Sequence, residues 1–371
     1  MNHNITTKDV FSLLEQWAPQ SLAYDWDPVG LQIGSHNHQV TKVMVTLDVD
    51  MRVIEEAIDK GANVIIAHHP LLFNPLTSVD TDSSIGKAVT TLIRHNITVY
   101  AAHTNLDIAE GGVNDILAEK LGLQNTEILL PTEKEDLFKI AVFVPKDFSE
   151  HVRRAIGDAG AGWIGNYRDC SFKVEGEGSF KPLDASDPFI GEKNRLTTVQ
   201  EVRIETIVEE HKLTKVIQAI KDSHPYEEVA YDIYPTENEG KQYGLGRIGK
   251  WTGKSNASTI IDKVKESFDL THVRFVGDID KKIKKVAVVG GSGEKFIAAA
   301  KAKDADMYIT GDITYHAAQE AEKMGLCLID AGHYIEHVMK EATVAYLNTH
   351  LSASDIECIA SSVHTDPFSY R

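Results

Sequence analysis

Two adjacent histidines, His68 and His69, follow a short apolar stretch at residues 64–67. The stretch is rich in β-branched residues, which predicts a buried strand, and Pro70 keeps the chain extended after it. In an open α/β sheet, ligands collect at the carboxyl ends of the strands. Neutral imidazoles at such a place suit a borderline metal such as zinc. Histidines that only form hydrogen bonds or cap a helix are the alternative interpretation.

Polar side chains follow three other predicted strand ends. His103 and Asp107 come after one strand, Asp312 after another, and His333 with Glu336 after the last. Imidazoles and carboxylates together suit a divalent transition-metal site with one or two ions, at which water is activated at neutral pH. Asp107 and Asp312 as simple helix caps are the alternative.

The spacing of these residues favours two ions over one. On a regular strand, adjacent His68 and His69 point in different directions, which is natural if each imidazole binds its own ion. His333 and Glu336 are three residues apart, so on a helix they share a face and can hold one ion together. His337 is interpreted as solvent-facing.

Alternating strands and helices position these residues. Apolar patterns predict strands at 43–47, 63–67 and 97–102 with helices at 51–60 and 84–94, which is typical of parallel βαβ units. Residues 42–69 align without a gap with residues 285–312 at an offset of 243, and His103 lies opposite His333 at a slightly smaller offset. We interpret this as an internal duplication, with two related Rossmann-like α/β halves that form one domain. Chance similarity is the alternative.

The segment between the halves has a different pattern. It predicts strands at 138–144, 163–167 and 171–177 with a helix at 149–159, then a strand at 199–208, a helix at 213–221 and a strand at 227–234. This order indicates an α+β ferredoxin-like insert. The predicted domains are therefore residues 1–129 and 237–371 for the two α/β halves and residues 130–236 for the insert.

Composition sets limits on function. The 371 residues carry a formal net charge of −17, which argues against broad phosphate-driven nucleic-acid binding. No apolar run approaches the length of a membrane span, and the polar N-terminus lacks the layout of a signal peptide, so we expect a cytoplasmic protein without a membrane partner. The three cysteines match no zinc or redox spacing. The glycine-rich segment 290–293 resembles a phosphate-binding loop but lacks the Walker lysine. Segment 240–249 combines flexible glycines with a fixed cation, and a tight re-entry into the second half is the alternative.

The motif set resembles the Nif-three-like family, whose members are commonly labelled GTP cyclohydrolase I type 2 homologues. The resemblance is carried by both flanking halves, and the central segment resembles the PII/CutA-like insert of longer bacterial members. The motifs are Asp25-Trp26-Asp27, Ala67-His68-His69-Pro70, His103-Thr104-Asn105-Leu106-Asp107, Thr310-Gly311-Asp312, Gly332-His333 with Glu336, and Asp366-Pro367-Phe368.

The resemblance implies a dinuclear site with two divalent metal ions per subunit, for which zinc, manganese and iron are the candidates. The metal ligands it implies are His68, His69, Asp107, His333 and Glu336. Some members place the last carboxylate four residues after the histidine, where this chain has His337. The resemblance also implies a ring-shaped homohexamer. Glu336, Asp107 as a metal-bridging group and His103 are the expected catalytic residues.

Three functions are compatible with this sequence. The first is a metal-dependent hydrolase of a small molecule or nucleotide, with GTP cyclohydrolase-like ring opening as the activity that the resemblance suggests. The second is a metal-handling or regulatory protein whose insert senses a small ligand. The third is a ring-shaped scaffold that binds a macromolecule. A metal-bound hydroxide serves amide and phosphoester hydrolysis equally well, so the ligand set alone does not choose the substrate.

Overall fold

The computed structural model describes residues 5–253 and 256–369 of the chain, which form a mixed α/β structure with three sheets. In chain order the strands are β1 (Gly30–Ile33), β2 (Lys42–Thr46), β3 (Val64–Ala67), β4 (Thr98–Ala101), β5 (Gln124–Lys134), β6 (Leu137–Pro145), β7 (Phe172–Phe180), β8 (Thr197–Glu209), β9 (Tyr231–Pro235), β10 (Gln242–Lys250), β11 (Arg274–Val276), β12 (Lys285–Ser292), β13 (Met307–Gly311), β14 (Cys327–Asp330) and β15 (Glu357–Ala360).

The α-helices are α1 (Thr7–Trp17), α2 (Met51–Lys60), α3 (Ser84–Arg94), α4 (Thr104–Ile108), α5 (Val113–Leu121), α6 (Ser149–Asp158), α7 (Glu210–Ser223), α8 (Ala257–Ser267), α9 (Ile297–Ala302), α10 (Tyr315–Lys323) and α11 (Met339–His350). Short 3-10 segments cover Gln20–Leu22, Lys146–Phe148, Glu294–Phe296 and His333–Val338. In the described part of the chain, no helix is long and apolar enough to cross a membrane.

The chain divides into two compact units. The first unit consists of Met1–Glu133 and Tyr243–Arg371, and the second consists of Lys134–Gln242. In sequence, the second unit therefore interrupts the first.

The first unit contains two sheets with a repeated strand order. One sheet has the order β1-β4-β3-β2-β15 and the other β11-β14-β13-β12-β10-β5. Four neighbouring strands are parallel in the first sheet and three in the second, and in both sheets the first strand pairs antiparallel with the next. Val43 pairs with Val64 in the first sheet, and Val286 pairs with Met307 in the second. The strand registers thus repeat at the offset of 243 residues that the sequence alignment predicts.

The central strands of these sheets are buried on both faces, which explains their continuous apolar sequences. Val43, Val45, Val64 and Ile66 belong to a core that also contains residues of β12, β13 and β14. The alternate residues of β2 and β3 face a second core formed with α2 and α3. Helix α2 illustrates the local signals: Asp50 accepts a hydrogen bond from Val53 N at its start, and Gly61 ends it in the left-handed conformation.

The second unit is built around one antiparallel sheet with the order β7-β8-β6-β9. Its core contains side chains of β6 and β8 together with Val152 of α6 and Val216 of α7. The predicted strand at 163–167 is wrong. Gly162 and Gly165 adopt positive φ angles there, so the chain turns, and only an isolated bridge joins Ile164 to Tyr167.

Candidate metal centre

Six side chains from three strand ends of the first unit converge at one place. His68 and His69 follow β3, His103 follows β4, and Asp107 lies on α4 directly after it. His333 and Glu336 follow β14. Because β3 and β4 are parallel neighbours and β14 has the matching position in the other sheet, their carboxyl ends deliver these side chains to a shared site. The structure thus brings together all the ligand and catalytic residues that the sequence predicts.

The donor atoms form overlapping groups, in each of which they lie within 4.8 Å of one another. The groups are His68 with His69 and His103, His69 with His333 and Glu336, and His68 with Asp107 and Glu336. Oε2 of Glu336 lies 3.2 Å from Nε2 of His69, 3.2 Å from Nε2 of His333 and 3.7 Å from Nε2 of His68. Glu336 is therefore the carboxylate that two of the groups share.

All four imidazoles are oriented through Nδ1. The Nδ1 atoms lie 2.7–2.9 Å from oxygen atoms outside the donor cluster: His68 with Ala102 O, His69 with Asp48, His103 with Asp27, and His333 with Asp312. A backbone carbonyl and carboxylates only accept hydrogen bonds, so each Nδ1 carries the hydrogen. Each Nε2 is then left to bind a proton or a metal ion. This arrangement is typical of histidines that bind metals, in which the second nitrogen is held by a carboxylate or a carbonyl.

The innermost donors fit a cation. Nε2 of His68 and Oδ1 of Asp107 are buried, are 3.5 Å apart, and have no hydrogen-bond partner among the described residues. Because Nδ1 of His68 carries the hydrogen, its Nε2 and the carboxylate oxygen both present lone pairs to each other. Buried polar atoms of this kind cost free energy unless something positive lies between them. A divalent ion meets that requirement for both atoms.

The pKa values show the same demand for positive charge. Burial lowers the pKa of His69, but hydrogen bonds with Asp48 and Glu336 outweigh it and raise the pKa to about 10. Burial also lowers the pKa of His333, but the hydrogen bond with Glu336 outweighs it and raises the pKa to about 9. Burial and the negative charge of Glu336 raise the pKa of Asp107 well above its usual value. His69, His333 and Asp107 therefore bind protons more tightly than usual at the positions around Glu336 where metal ions would bind.

Two glycines make room for the shared carboxylate. A Cβ atom added to Gly291 would lie 2.5 Å from Oε1 of Glu336 and 3.1 Å from Nε2 of His333, and one added to Gly290 would lie 3.0 Å from Oε1. Gly291 also has a φ of +58°, which favours glycine. These two glycines at the end of β12 therefore accommodate Glu336, a role that the sequence does not reveal.

His333 and Glu336 lie on a 3-10 segment, His333–Val338, and not on the α-helix that the sequence suggests. With three residues per turn, side chains at positions i and i+3 eclipse each other, which brings this pair together. His337 lies outside the donor groups. Its Nδ1 donates to Tyr334 O (2.7 Å), and its ring stacks on Tyr334.

Comparison with known proteins finds relatives over the whole length of this chain. The Duf34/NIF3 (NGG1p interacting factor 3) family matches residues 5–367. A Bacillus subtilis protein named "GTP cyclohydrolase 1 type 2 homolog" is 47% identical over 372 residues, which cover 100% of both chains. A protein of the same name from Halalkalibacterium halodurans is 47% identical over 97% of this chain and 98% of its own. The chain belongs to the DUF34/NIF3 family.

A solved structure of similar length has the same fold as this DUF34/NIF3 protein. The crystal structure of a Bacillus cereus protein related to NIF3 covers 100% of both chains with a TM-score of 0.94 and 47% sequence identity. The similarity covers the inserted unit as well as the two segments that carry the donor cluster.

Sequence reasoning about this DUF34/NIF3 chain missed the residues that orient the imidazoles. Asp48 lies just after the end of β2, as His68 and His103 lie after their strands. Its position at a strand end could therefore have predicted a place at the site. Asp27 lies in a loop more than 70 residues before its partner His103, and its hydrogen bond to Nδ1 is 2.9 Å. Asp312 was predicted at the metal site, with a helix cap as the alternative; it lies outside the donor groups and instead holds His333.

Proposed function

We propose that this DUF34/NIF3 protein is a divalent-metal-dependent hydrolase that holds two ions in the donor cluster. The observation that carries the proposal is the pair of donor groups that share Glu336. His69 and His333 with Glu336 would hold one ion, and His68 and Asp107 with the same carboxylate would hold the other. The bridging role expected for Asp107 is assigned to Glu336, because Asp107 lies in one group only.

The residues of the chain prepare this site for hydrolysis. Divalent ions bound there would supply Lewis-acid polarisation and a water molecule with a lowered pKa. Asp48, Asp27 and Asp312 orient three of the imidazoles, so the donors need little rearrangement. His103, whose Nδ1 is held by Asp27, has its Nε2 directed away from that bond, and we assign it to proton transfer or to a further metal bond.

A cavity beside the centre offers room for a substrate. It has a volume of about 960 Å³, and its wall includes His69 and His333. Cavities of this size are typical of sites for small molecules. The name of the bacterial relatives makes GTP the first substrate to test, with opening of its purine ring as the reaction.

The test is turnover of the metal-loaded, full-length protein with GTP and then with a panel of phosphoesters and amides. We expect saturable hydrolysis by the wild type and a loss of at least about 100-fold in kcat for Glu336→Gln, with an unchanged fold by circular dichroism. Glu341→Gln, on α11, is the matched control. Rapid metal exchange without saturable turnover of any compound would instead favour the metal-handling alternative.

We also propose a fold for each of the two units. The repeated strand order of the first unit supports two Rossmann-like halves. In the second unit, the antiparallel sheet with α6 after β6 and α7 after β8 supports a ferredoxin-like insert.

A further inference from the structure

The wall of the cavity contains a group of basic side chains that the metal centre does not use. Lys340, His337 and His364 all line it, together with Tyr334. The Tyr334 ring contacts both imidazoles, with centroid distances of 4.9 Å to His337 and 4.4 Å to His364. Tyr334 thus lies between His337 and His364, and Lys340 lies in the first turn of α11 on the same cavity wall.

Lys340 lacks the partner that a half-buried lysine ordinarily has. Its Nζ donates to Ser361 O at 3.0 Å, and no carboxylate forms an ion pair with it among residues 5–253 and 256–369. The nearby carboxylate of Glu56 is engaged by Lys60, Ser361 and Ser362. An ammonium group has three N–H donors, so two remain for a ligand.

None of the five aspartates that line the cavity forms an ion pair with Lys340 in the described part of the chain. Four of these aspartates already accept hydrogen bonds from side chains or the backbone of the chain: Asp48, Asp50, Asp312 and Asp366. Lys340 therefore offers two N–H donors to a ligand in the cavity, and His364 lines the same wall.

We propose that Lys340, together with His364, binds the phosphate of an organic phosphate monoester whose remaining part extends to the metal centre. A phosphate monoester carries close to two negative charges at neutral pH and several strong acceptor oxygens, so it can accept both remaining N–H groups of Lys340, which a single carboxylate does less well. His69 and His333 line the same cavity, so one small ligand can contact both groups. This inference names the substrate class of the proposed hydrolase and rests on that proposed function.

The experiment measures binding of phenyl phosphate to the metal-loaded, full-length protein by calorimetry. We expect Lys340→Met to weaken binding by about 10-fold or more, because it removes charge-assisted hydrogen bonds, while Lys340→Arg retains most of the affinity. The matched control is Lys323→Met, which removes an exposed lysine of α10 that does not line the cavity. Benzoate should bind the wild type more weakly than phenyl phosphate. Elemental analysis of each variant should show an unchanged metal content.

Equal affinity of the wild type and Lys340→Met would overturn the inference. Binding that survives in Lys340→Met but disappears after chelation would also overturn it, since the phosphate would then bind only the metal. A failure of the proposed function gives a different result. Protein that never takes up metal but still binds phenyl phosphate in a Lys340-dependent manner would contradict the metal-dependent hydrolase and retain the phosphate site.

Discussion

At the scale of single residues, the centre depends on partners that lie outside the donor set. Each imidazole donates from Nδ1 to an oxygen, so each Nε2 points to the same small region. The donors could be predicted from the sequence because they follow apolar strands. Most of their partners could not, because the bond from Asp27 to His103 joins residues that only the folded chain brings together.

Asp48→Asn should weaken metal binding without removing a ligand. The amide oxygen of asparagine can still accept from Nδ1 of His69, but the negative charge that makes this imidazole a stronger donor is lost. We expect affinity for zinc or manganese to fall by about 10- to 100-fold, measured by competition with a chromogenic chelator. Asp59→Asn, at an exposed position of α2, is the control. An unchanged affinity would mean that Asp48 has no influence on the metal.

Gly291→Ala should lower metal occupancy even though the residue has no side chain to bind a metal. The new methyl group would lie against the Glu336 carboxylate, and the positive φ of the residue adds strain. We expect metal content to fall to less than half of the wild-type value in elemental analysis. Gly61→Ala, also at a positive φ but with no atom near its Cβ position, controls for backbone strain alone. Equal losses in both variants would contradict the specific role of Gly291.

At the scale of elements, the sequence predicted strands and strand ends better than it predicted the geometry that follows them. The continuous apolar runs of β2, β3 and β4 identify buried parallel strands, and the offset of 243 anticipates the paired registers of both sheets. The 3-10 segment that carries His333 and Glu336 has the same apolar spacing as the start of an α-helix. Local sequence therefore could not separate the two geometries.

The C-terminal segment is attached to α2 by a carboxylate. Glu56 accepts hydrogen bonds from Ser361 and Ser362 as well as from Lys60, and farther along the segment Thr365 donates to Asp48. Burial raises the pKa of Glu56, but these hydrogen bonds outweigh it and lower the pKa to about 2. The same segment lines the cavity with His364.

Glu56→Gln should therefore reduce stability in a manner that depends on pH. The carboxylate has a lower pKa in the folded state than in the unfolded state, so its stabilisation is complete above about pH 5 and is lost as the pH falls towards 2. At pH 7 we expect the variant to lose about 1–2 kcal/mol in urea unfolding. The difference from wild type should be smaller near pH 4. The exposed neighbour Glu55 provides the control, Glu55→Gln, and a difference between wild type and Glu56→Gln that does not vary with pH would contradict this assignment.

At the scale of the whole molecule, family membership predicts an assembly. The resemblance implies a ring-shaped hexamer, so light scattering should give a mass of six 41.0 kDa chains. The second unit exposes large apolar side chains, among them Tyr167 and Phe172. A single-chain mass at micromolar concentration would contradict the hexamer. The hexamer stays a prediction from the resemblance, because periodicity and spacing report on one chain.

The metal content of untagged protein tests the central claim most directly. Elemental analysis of the wild type should find a transition metal in near-stoichiometric amount, up to two ions per chain. His69→Ala should contain clearly less, because it removes one donor of the groups that surround Glu336. The contradicting result is a wild-type protein that is purified without metal and takes up none at micromolar zinc or manganese. The four imidazoles would then be structural residues, and the hydrolase proposal would fail.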